Sequence, residues 1–260
     1  MISIDEVGEV KEILILIFEA LTWELSLAIG VAFFASFMTA YAGFGGALIM
    51  VPLLTFLVGP IQAVALTAIS GAFAYTHLVP NSIKNAHWAE LGPVAIGLLV
   101  SISIGSQFLV DMDPASIRLW MGLFIIAAAV LLISKYKYSG HRGPLTSFIV
   151  GGLTGGIVGS AAVPAGPILV IYFLAARQAV GIQRANIILG IWLLLMIMLT
   201  NLLVRGTVDN ETFVKAIFVV PFSILGSLAG QYAFKRLPLS WFKNVANWLL
   251  IGIGSSLLVL

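Results

Sequence analysis

The sequence contains no cysteine and few charged residues, which make up 9% of its 260 positions. Without cysteine there are no disulfides, thiolate metal sites or cysteine nucleophiles. An ordinary soluble domain carries about 25% charged residues, and so few charges cannot cover a surface that faces water. Hydrophobic residues make up 60% of the chain, so its apolar surface must face lipid. The composition therefore predicts an integral membrane protein whose first partner is the lipid bilayer.

Several functions are disfavoured by what the charges and motifs lack. The net charge is only +2 and the basic residues form no patch, so we expect no nucleic acid partner. Glu24, Glu90 and Glu211 lie near the ends of apolar runs, which argues against a carboxylate proton relay or a metal site at depth. No serine has a His–Asp pair with it, and the glycines at 151–159 lack the Gly-Lys-Ser/Thr ending of a phosphate loop. We therefore expect that the protein is not an enzyme and that it binds neither a cofactor nor a metal ion.

Ten apolar runs are separated by glycine, proline and polar residues. Three of them, at 46–58, 147–158 and 166–176, reach only about 15–20 Å and are too short for about 30 Å of hydrocarbon. Short, glycine-broken segments indicate re-entrant or discontinuous helices. The ten runs lie at 25–42, 46–58, 62–80, 91–110, 115–134, 147–158, 166–176, 185–204, 212–234 and 240–260.

The two halves of the chain resemble each other at an offset of 120 to 124 residues. Residues 46–51 match 166–171, and Ser103 and Gln107 match Ser227 and Gln231. Each half is predicted to form one broken, re-entrant hairpin followed by three transmembrane helices. The predicted division is an acidic, interfacial segment at 1–24, transmembrane repeat 1 at 25–134, a cytoplasmic linker at 135–144 and transmembrane repeat 2 at 145–260.

The basic residues predict the orientation, because cytoplasmic loops carry an excess of lysine and arginine. Nine of the thirteen basic residues fall on one face if each hairpin returns to the side it left. That face is assigned to the cytoplasm, and both termini then lie outside. Hairpin one begins outside and hairpin two inside, so the repeats are inverted, an arrangement typical of secondary transporters. The nine residues are Lys84, Lys135, Lys137, Arg142, Arg177, Arg184, Lys235, Arg236 and Lys243.

The hairpin breaks are the predicted substrate site. After each break a helix begins, and its unpaired N–H groups and positive dipole end can bind an anion without a fixed charge. Gly43, Gly45 and Gly46 surround the first break, and Ser160 and Gly166 surround the second. The alternative is that these small residues only let helices pack closely.

Polar side chains at depth could complete this site. Thr67, Ser70 and the symmetric pair Gln107 and Gln231 are candidates for substrate contact. Alternatively, the hydroxyls bond their own backbone and the glutamines join helices. His77 is the one titratable side chain inside a predicted span. It could couple protons, or it could hydrogen-bond a neighbouring helix.

The motif at 43–54, Gly-Phe-Gly-Gly-Ala-Leu-Ile-Met-Val-Pro-Leu-Leu, resembles the signature of the TauE/SafE family of sulfite and organosulfonate exporters. The segments at 165–170 and 205–209 are similar to further elements of that family. Ala47 replaces the third glycine of the signature, and Tyr172 stands where proline is expected. The resemblance implies a transporter of small sulfur-containing anions, usually exported.

These patterns together predict a secondary transporter or facilitator for a small anion such as sulfite, a sulfonate or a related sulfur oxyanion. We expect it to export this anion across the cytoplasmic membrane, as a monomer or a homo-oligomer. Two alternatives stay open. One is a proton-coupled anion transporter that uses His77, and the other is a non-transporting membrane scaffold or assembly factor.

Overall fold

The computed structural model describes residues 22–42, 44–109, 112–134, 138–234 and 236, and these form helices joined by short turns. The predicted segment at 1–24, except for its last three residues, and the apolar run at 240–260 lie outside this part of the chain. The helices are α1 (Trp23–Ala42), α2 (Gly46–Val58), α3 (Pro60–Ala74), α4 (Val79–Asn85), α5 (Trp88–Leu109), α6 (Pro114–Ile133), α7 (Pro144–Ala161), α8 (Gly166–Leu174), α9 (Val180–Val204) and α10 (Asn210–Phe234).

Seven helical segments of the described residues are long and apolar enough to cross a membrane. The chain is therefore a multi-pass α-helical membrane protein, as its composition predicts. The segment Pro60–Asn85 holds α3, the 3₁₀ turn Thr76–Leu78 and α4. Its most apolar window is 78% buried, against 33–44% for the other six. This segment is the centre of the fold, with the other helices around it.

The run at 147–158 is longer than the sequence predicts. It belongs to α7, which has 18 residues and a length of about 27 Å. Pro144 starts the helix, because proline at the first turn removes no hydrogen bond. The glycines that suggested a short segment stay helical, since their lack of side chains is used for packing. In contrast, α2 with 13 residues and α8 with 9 are as short as predicted. Each break thus joins one long arm to one short arm.

Two helix pairs make the most extensive contacts of the fold: α5 with α7, and α1 with α10. A Cβ atom at Gly151 would overlap the carbonyl oxygen of Val94, so α7 lies directly on the α5 backbone. Gly226 and Gly230 of α10 lie in the same way on the carbonyls of Phe33 and Phe37. In both pairs, the long arm beside one break packs against a helix from the other half of the chain.

Side-chain caps fix where two helices begin. Asp113 accepts a hydrogen bond from the Ser116 amide at 2.9 Å at the start of α6. Asp209 accepts one from the Thr212 amide at 2.8 Å at the start of α10. A capping side chain satisfies a first-turn N–H that has no partner within the helix. The second carboxylate oxygen of Asp209 accepts from the side-chain Nε2 of Gln62 at 2.9 Å, which joins the start of α10 to the start of α3.

Candidate functional site

A cavity lies where the two helix breaks meet. Its volume is about 50 Å³, enough for a few water molecules. Gly45 of the first break and the segment from Ala162 to Gly166 of the second both line it. The remaining walls come from α1, α2, α3, α7, α8 and α9. The fold therefore brings together two breaks that are far apart in the sequence.

The walls of the cavity are mostly apolar and carry no charged side chain among the described residues. Its polar side chains are those of Thr39, Thr67 and Tyr75. Backbone groups at the two breaks add to them. A ligand inside would thus meet hydroxyl groups and peptide dipoles in a medium of low dielectric, where such partial charges count for more than in water.

The first break turns at Gly45, whose φ of +100° is a left-handed conformation that favours glycine. The Gly46 amide donates to Thr39 Oγ1 at 3.0 Å. A Cβ atom at Gly46 would overlap that oxygen and the Ala35 carbonyl. Gly46 is therefore needed where α1 and α2 touch, and its amide is already engaged. The first-turn amides of Ala47 and Leu48, residues that line the cavity, have no partner within their helix.

The second break leaves one open amide. The Ala165 amide donates to the Val163 carbonyl at 2.8 Å, and the Ile168 amide to the Ala165 carbonyl at 3.1 Å. Pro167 has no N–H. In the first turn of α8, the Gly166 amide therefore has no hydrogen-bond partner among the described residues. A Cβ atom there would meet nothing within 4 Å, so there is open space beside this residue.

The other predicted hydroxyls occupy different surroundings. Thr67 lines the cavity, and its buried Oγ1 has no partner within the described part of the chain. The buried Ser70 hydroxyl is also without a partner there, but Ser70 is not part of the cavity wall. Ser160 donates to the Gly156 carbonyl at 2.7 Å and lines a separate opening beside Trp120. Of the predicted hydroxyls, only that of Thr67 belongs to a residue of the cavity wall and has no hydrogen-bond partner among the described residues.

Three other predicted residues lie away from the cavity. Gln107 of α5 is exposed and Gln231 of α10 is half-buried, and neither lines it. His77 is exposed in the 3₁₀ turn and is also absent from the cavity wall. Gly43 lies outside the described residues. The sequence reasoning missed Thr39 and Tyr75, since nothing but their position near the first break and the end of α3 distinguishes them in the sequence.

An ion pair fixes the far end of α8. The Nε and Nη2 atoms of Arg142 each donate to a Glu90 carboxylate oxygen at 3.0 Å. Its Nη1 donates to the Tyr172 carbonyl at 2.8 Å, and its guanidinium lies 4.2 Å from the centre of the Tyr172 ring. Such two-pronged pairs are strong and directional. They hold the C-terminal end of the short arm whose first residue, Gly166, lines the cavity.

The sequence matches a family model and a known protein. The family model described as "Sulfite exporter TauE/SafE" matches residues 28–257. The chain is 23% identical over 184 residues to the "Probable sulfite/organosulfonate exporter TauE" of Cupriavidus necator, which covers 70% of this chain and 72% of that protein. No solved structure matches the chain. Because the family model covers most of the sequence, the chain belongs to the sulfite exporter TauE/SafE family.

Proposed function

We propose that this protein is a secondary transporter or facilitator that exports a small anion, such as sulfite, a sulfonate or a related sulfur oxyanion, across the cytoplasmic membrane. The observation that carries the proposal is the cavity without charged side chains, to which both helix breaks contribute. Membership of a family of exporters and the name of the Cupriavidus necator relative support the same class of substrate.

The anion is held by the backbone at the breaks and by one hydroxyl. The Gly166 amide and the cavity-facing start of α2 supply N–H groups, and Thr67 supplies a buried Oγ1 without a partner. The positive ends of two helix dipoles add to these donors. Because no lysine or arginine side chain stands in the described wall, the site binds the anion weakly enough to release it.

The topology belongs to this proposal. Repeats at 25–134 and 145–260 are inverted, each hairpin is re-entrant, and both termini lie outside. Contacts between helix ends support it. Glu90 bonds Arg142 at the end assigned to the cytoplasm, and Gln62 bonds Asp209 at the end assigned to the outside. Reporter fusions are expected to place the linker at 135–144 in the cytoplasm and Leu260 outside. A reporter on the opposite side at either position would contradict the inverted arrangement.

The membrane potential drives export. A potential that is negative inside moves a monovalent anion outward by about 2.3 kcal/mol per 100 mV, so no coupling ion is required. No carboxylate lines the described cavity wall, and His77 lies outside that wall. These positions favour a facilitator over the proton-coupled alternative.

Sulfite flux in liposomes clamped with potassium and valinomycin tests this function. We expect flux to follow the size and the sign of the clamped potential. A flux that ignores the potential, follows a pH gradient and is lost in His77→Ala would establish the proton-coupled alternative. If the folded protein moved neither sulfite nor any small sulfonate, the non-transporting alternative would replace the proposal.

A further inference from the structure

Helix α9 carries an arginine at each end. Arg184 lies in its second turn and Arg205 caps its C-terminus. Between them, Ile191, Leu195 and Met198 line the cavity. Arg184 precedes Ile191 by seven residues, which places both on nearly the same face of the helix, because two helical turns take about 7.2 residues. Arg184 therefore lies on nearly the same face of α9 as the residues that line the cavity.

The guanidinium of Arg184 is only partly satisfied. Its Nη2 donates to the Ala40 carbonyl at 2.8 Å, and its carbon lies 3.8 Å from the centre of the Phe234 ring. Its Nε is buried and has no hydrogen-bond partner among the described residues. Ala40 is next in sequence to Thr39, which lines the cavity and whose Oγ1 accepts a hydrogen bond from the Gly46 amide. The charge thus stands beside the wall of the first break.

No carboxylate neutralises this charge in the described structure. The other half-buried arginine on the same face, Arg142, is paired with Glu90. Under the predicted topology, the other ten acidic residues of the sequence lie on the opposite face, so Glu90 is the single carboxylate on the face of Arg142 and Arg184. A partly buried cation without a counter-ion is costly. An anionic ligand would remove that cost, and a planar guanidinium suits a group with two or three equivalent oxygens.

We propose that Arg184 forms a cytoplasmic subsite that binds the oxyanion group of the substrate before it enters the cavity. This inference rests on the proposed function and adds an entry site to it. The Nε of Arg184 donates to the incoming anion, while Nη2 stays on the Ala40 carbonyl and keeps the guanidinium beside the first break. Loss of the charge therefore raises the KM for substrate presented from the cytoplasmic side and changes the maximal rate little.

Arg205 provides the matched control. Its Nε donates to Ser106 Oγ at 3.0 Å and its Nη2 to the Ser103 carbonyl at 3.3 Å. Both partners belong to α5, a helix that does not line the cavity. Arg205 is the same residue type on the same helix, but it joins two helices at the opposite end.

The test uses the absence of cysteine from the chain. Arg184→Cys is prepared in inverted membrane vesicles, where the cytoplasmic face meets the bath, and sulfite uptake is measured before and after thiol modification. We expect the KM to rise about tenfold in Arg184→Cys, as for the loss of a charge-assisted hydrogen bond. Alkylation with 2-bromoethylamine, followed by removal of the reagent, restores a positive charge and should lower the KM. Alkylation with iodoacetate adds a negative charge and should raise the KM further. Both reagents form thioethers, which the sulfite substrate does not cleave.

The opposite responses to the two reagents occur in one folded protein, so they report charge and not folding. Arg205 lies at the end assigned to the outside, which faces the lumen of inverted vesicles. Arg205→Cys is therefore modified in open membranes before the vesicles reseal, and both reagents should leave the cytoplasmic KM unchanged. An Arg184→Cys protein whose KM equals that of the wild type, or responds equally to both reagents, would overturn the subsite while leaving transport itself established. Absence of uptake in the wild type would instead remove the proposed function.

If Arg184→Cys does not fold, Arg184→Lys replaces it. Loss of the planar fork should then raise the KM at an unchanged maximal rate, and an unchanged KM would overturn the subsite.

Discussion

The two breaks differ in how they turn and in what their first helical amide binds. At the first break the chain turns at Gly45 with φ +100°, and the Gly46 amide donates to Thr39. At the second break it turns at Ala162 with φ +55°, and the Gly166 amide has no partner among the described residues. The first break is thus closed by a side-chain cap and a tight helix contact. The second is held by a short loop that leaves space at the start of α8. Two glycines in equivalent positions of the sequence therefore do different work, one in packing and one at the cavity.

The largest effect is expected from Gly46→Ala. The added methyl group would overlap the Ala35 carbonyl and Thr39 Oγ1, and backbone cannot move aside as a flexible side chain can. We expect a loss of about 2–3 kcal/mol in stability, the upper range for overpacking. Thermal unfolding of the purified protein in detergent measures it. Gly166→Ala is the control and should unfold close to the wild type, since its Cβ meets nothing within 4 Å. Equal melting of the two variants would remove the difference between the breaks.

Gly166→Leu should separate function from folding. A Cβ atom at this position meets nothing within 4 Å, so we expect the protein to insert and unfold like the wild type. We expect sulfite flux to fall at least about tenfold, because the side chain would displace the ligand from the open amide. Gly181→Leu is the matched control, since Gly181 also has open space around it and does not line the cavity. Normal flux in Gly166→Leu would move the anion site elsewhere.

Two threonines in the cavity wall should respond in opposite ways to replacement by valine. Thr39→Val removes the acceptor of the Gly46 amide, so stability should fall by about 1 kcal/mol, as for the loss of a helix cap. Thr67→Val removes a buried hydroxyl without a partner. Its stability should stay equal or rise, while sulfite affinity should fall by a few fold, about 1 kcal/mol, as for one hydrogen bond. Thermal unfolding with and without sulfite measures both. Destabilisation by Thr67→Val would mean that this hydroxyl has a structural partner.

The smallest effect is expected at the turn of the second break. Ala162 has a positive φ, which costs a residue with a Cβ atom about 1 kcal/mol, whereas glycine adopts it freely. Ala162→Gly should therefore raise stability by less than about 1 kcal/mol, since glycine also loses more entropy on folding. Ala161→Gly, one residue earlier in α7, should lower stability by a similar amount. If both variants changed stability in the same direction, the strain at Ala162 would not be the cause.

Much of the helix pattern is readable from the sequence because apolar runs and glycine or proline punctuation are local signals. The short arms α2 and α8 are predicted at nearly their observed bounds. The length of α7 was not predicted. Its glycines suggest a break in the helix, and only the structure shows that they pack against the α5 backbone. The burial of Thr67 and its position on the cavity wall likewise follow from helices that are distant in sequence.

The candidate site shows the same limit more sharply. Gly45 and Gly166 are recognisable as residues beside breaks, and the structure puts both on one cavity. The symmetric glutamines carry no comparable information, since matching positions in two halves do not tell which way a side chain points. The Glu90–Arg142 pair was also beyond prediction, because 52 residues separate its members and no periodic pattern joins them. From the sequence, Glu90 was recognisable only as a carboxylate near the end of an apolar run, and Arg142 only as one of the basic residues assigned to the cytoplasmic face.

The contacts of α1 with α10 and of α5 with α7 bear on the order in which the chain can be assembled. At about 5–20 residues per second, α10 leaves the ribosome on the order of ten seconds after α1. For that time the carbonyls of Phe33 and Phe37 lack the glycines that cover them in the finished protein. The first span therefore lacks this packing partner until α10 has been made. A nascent chain stopped before residue 210 would hold a long arm whose close-packing surface is still uncovered.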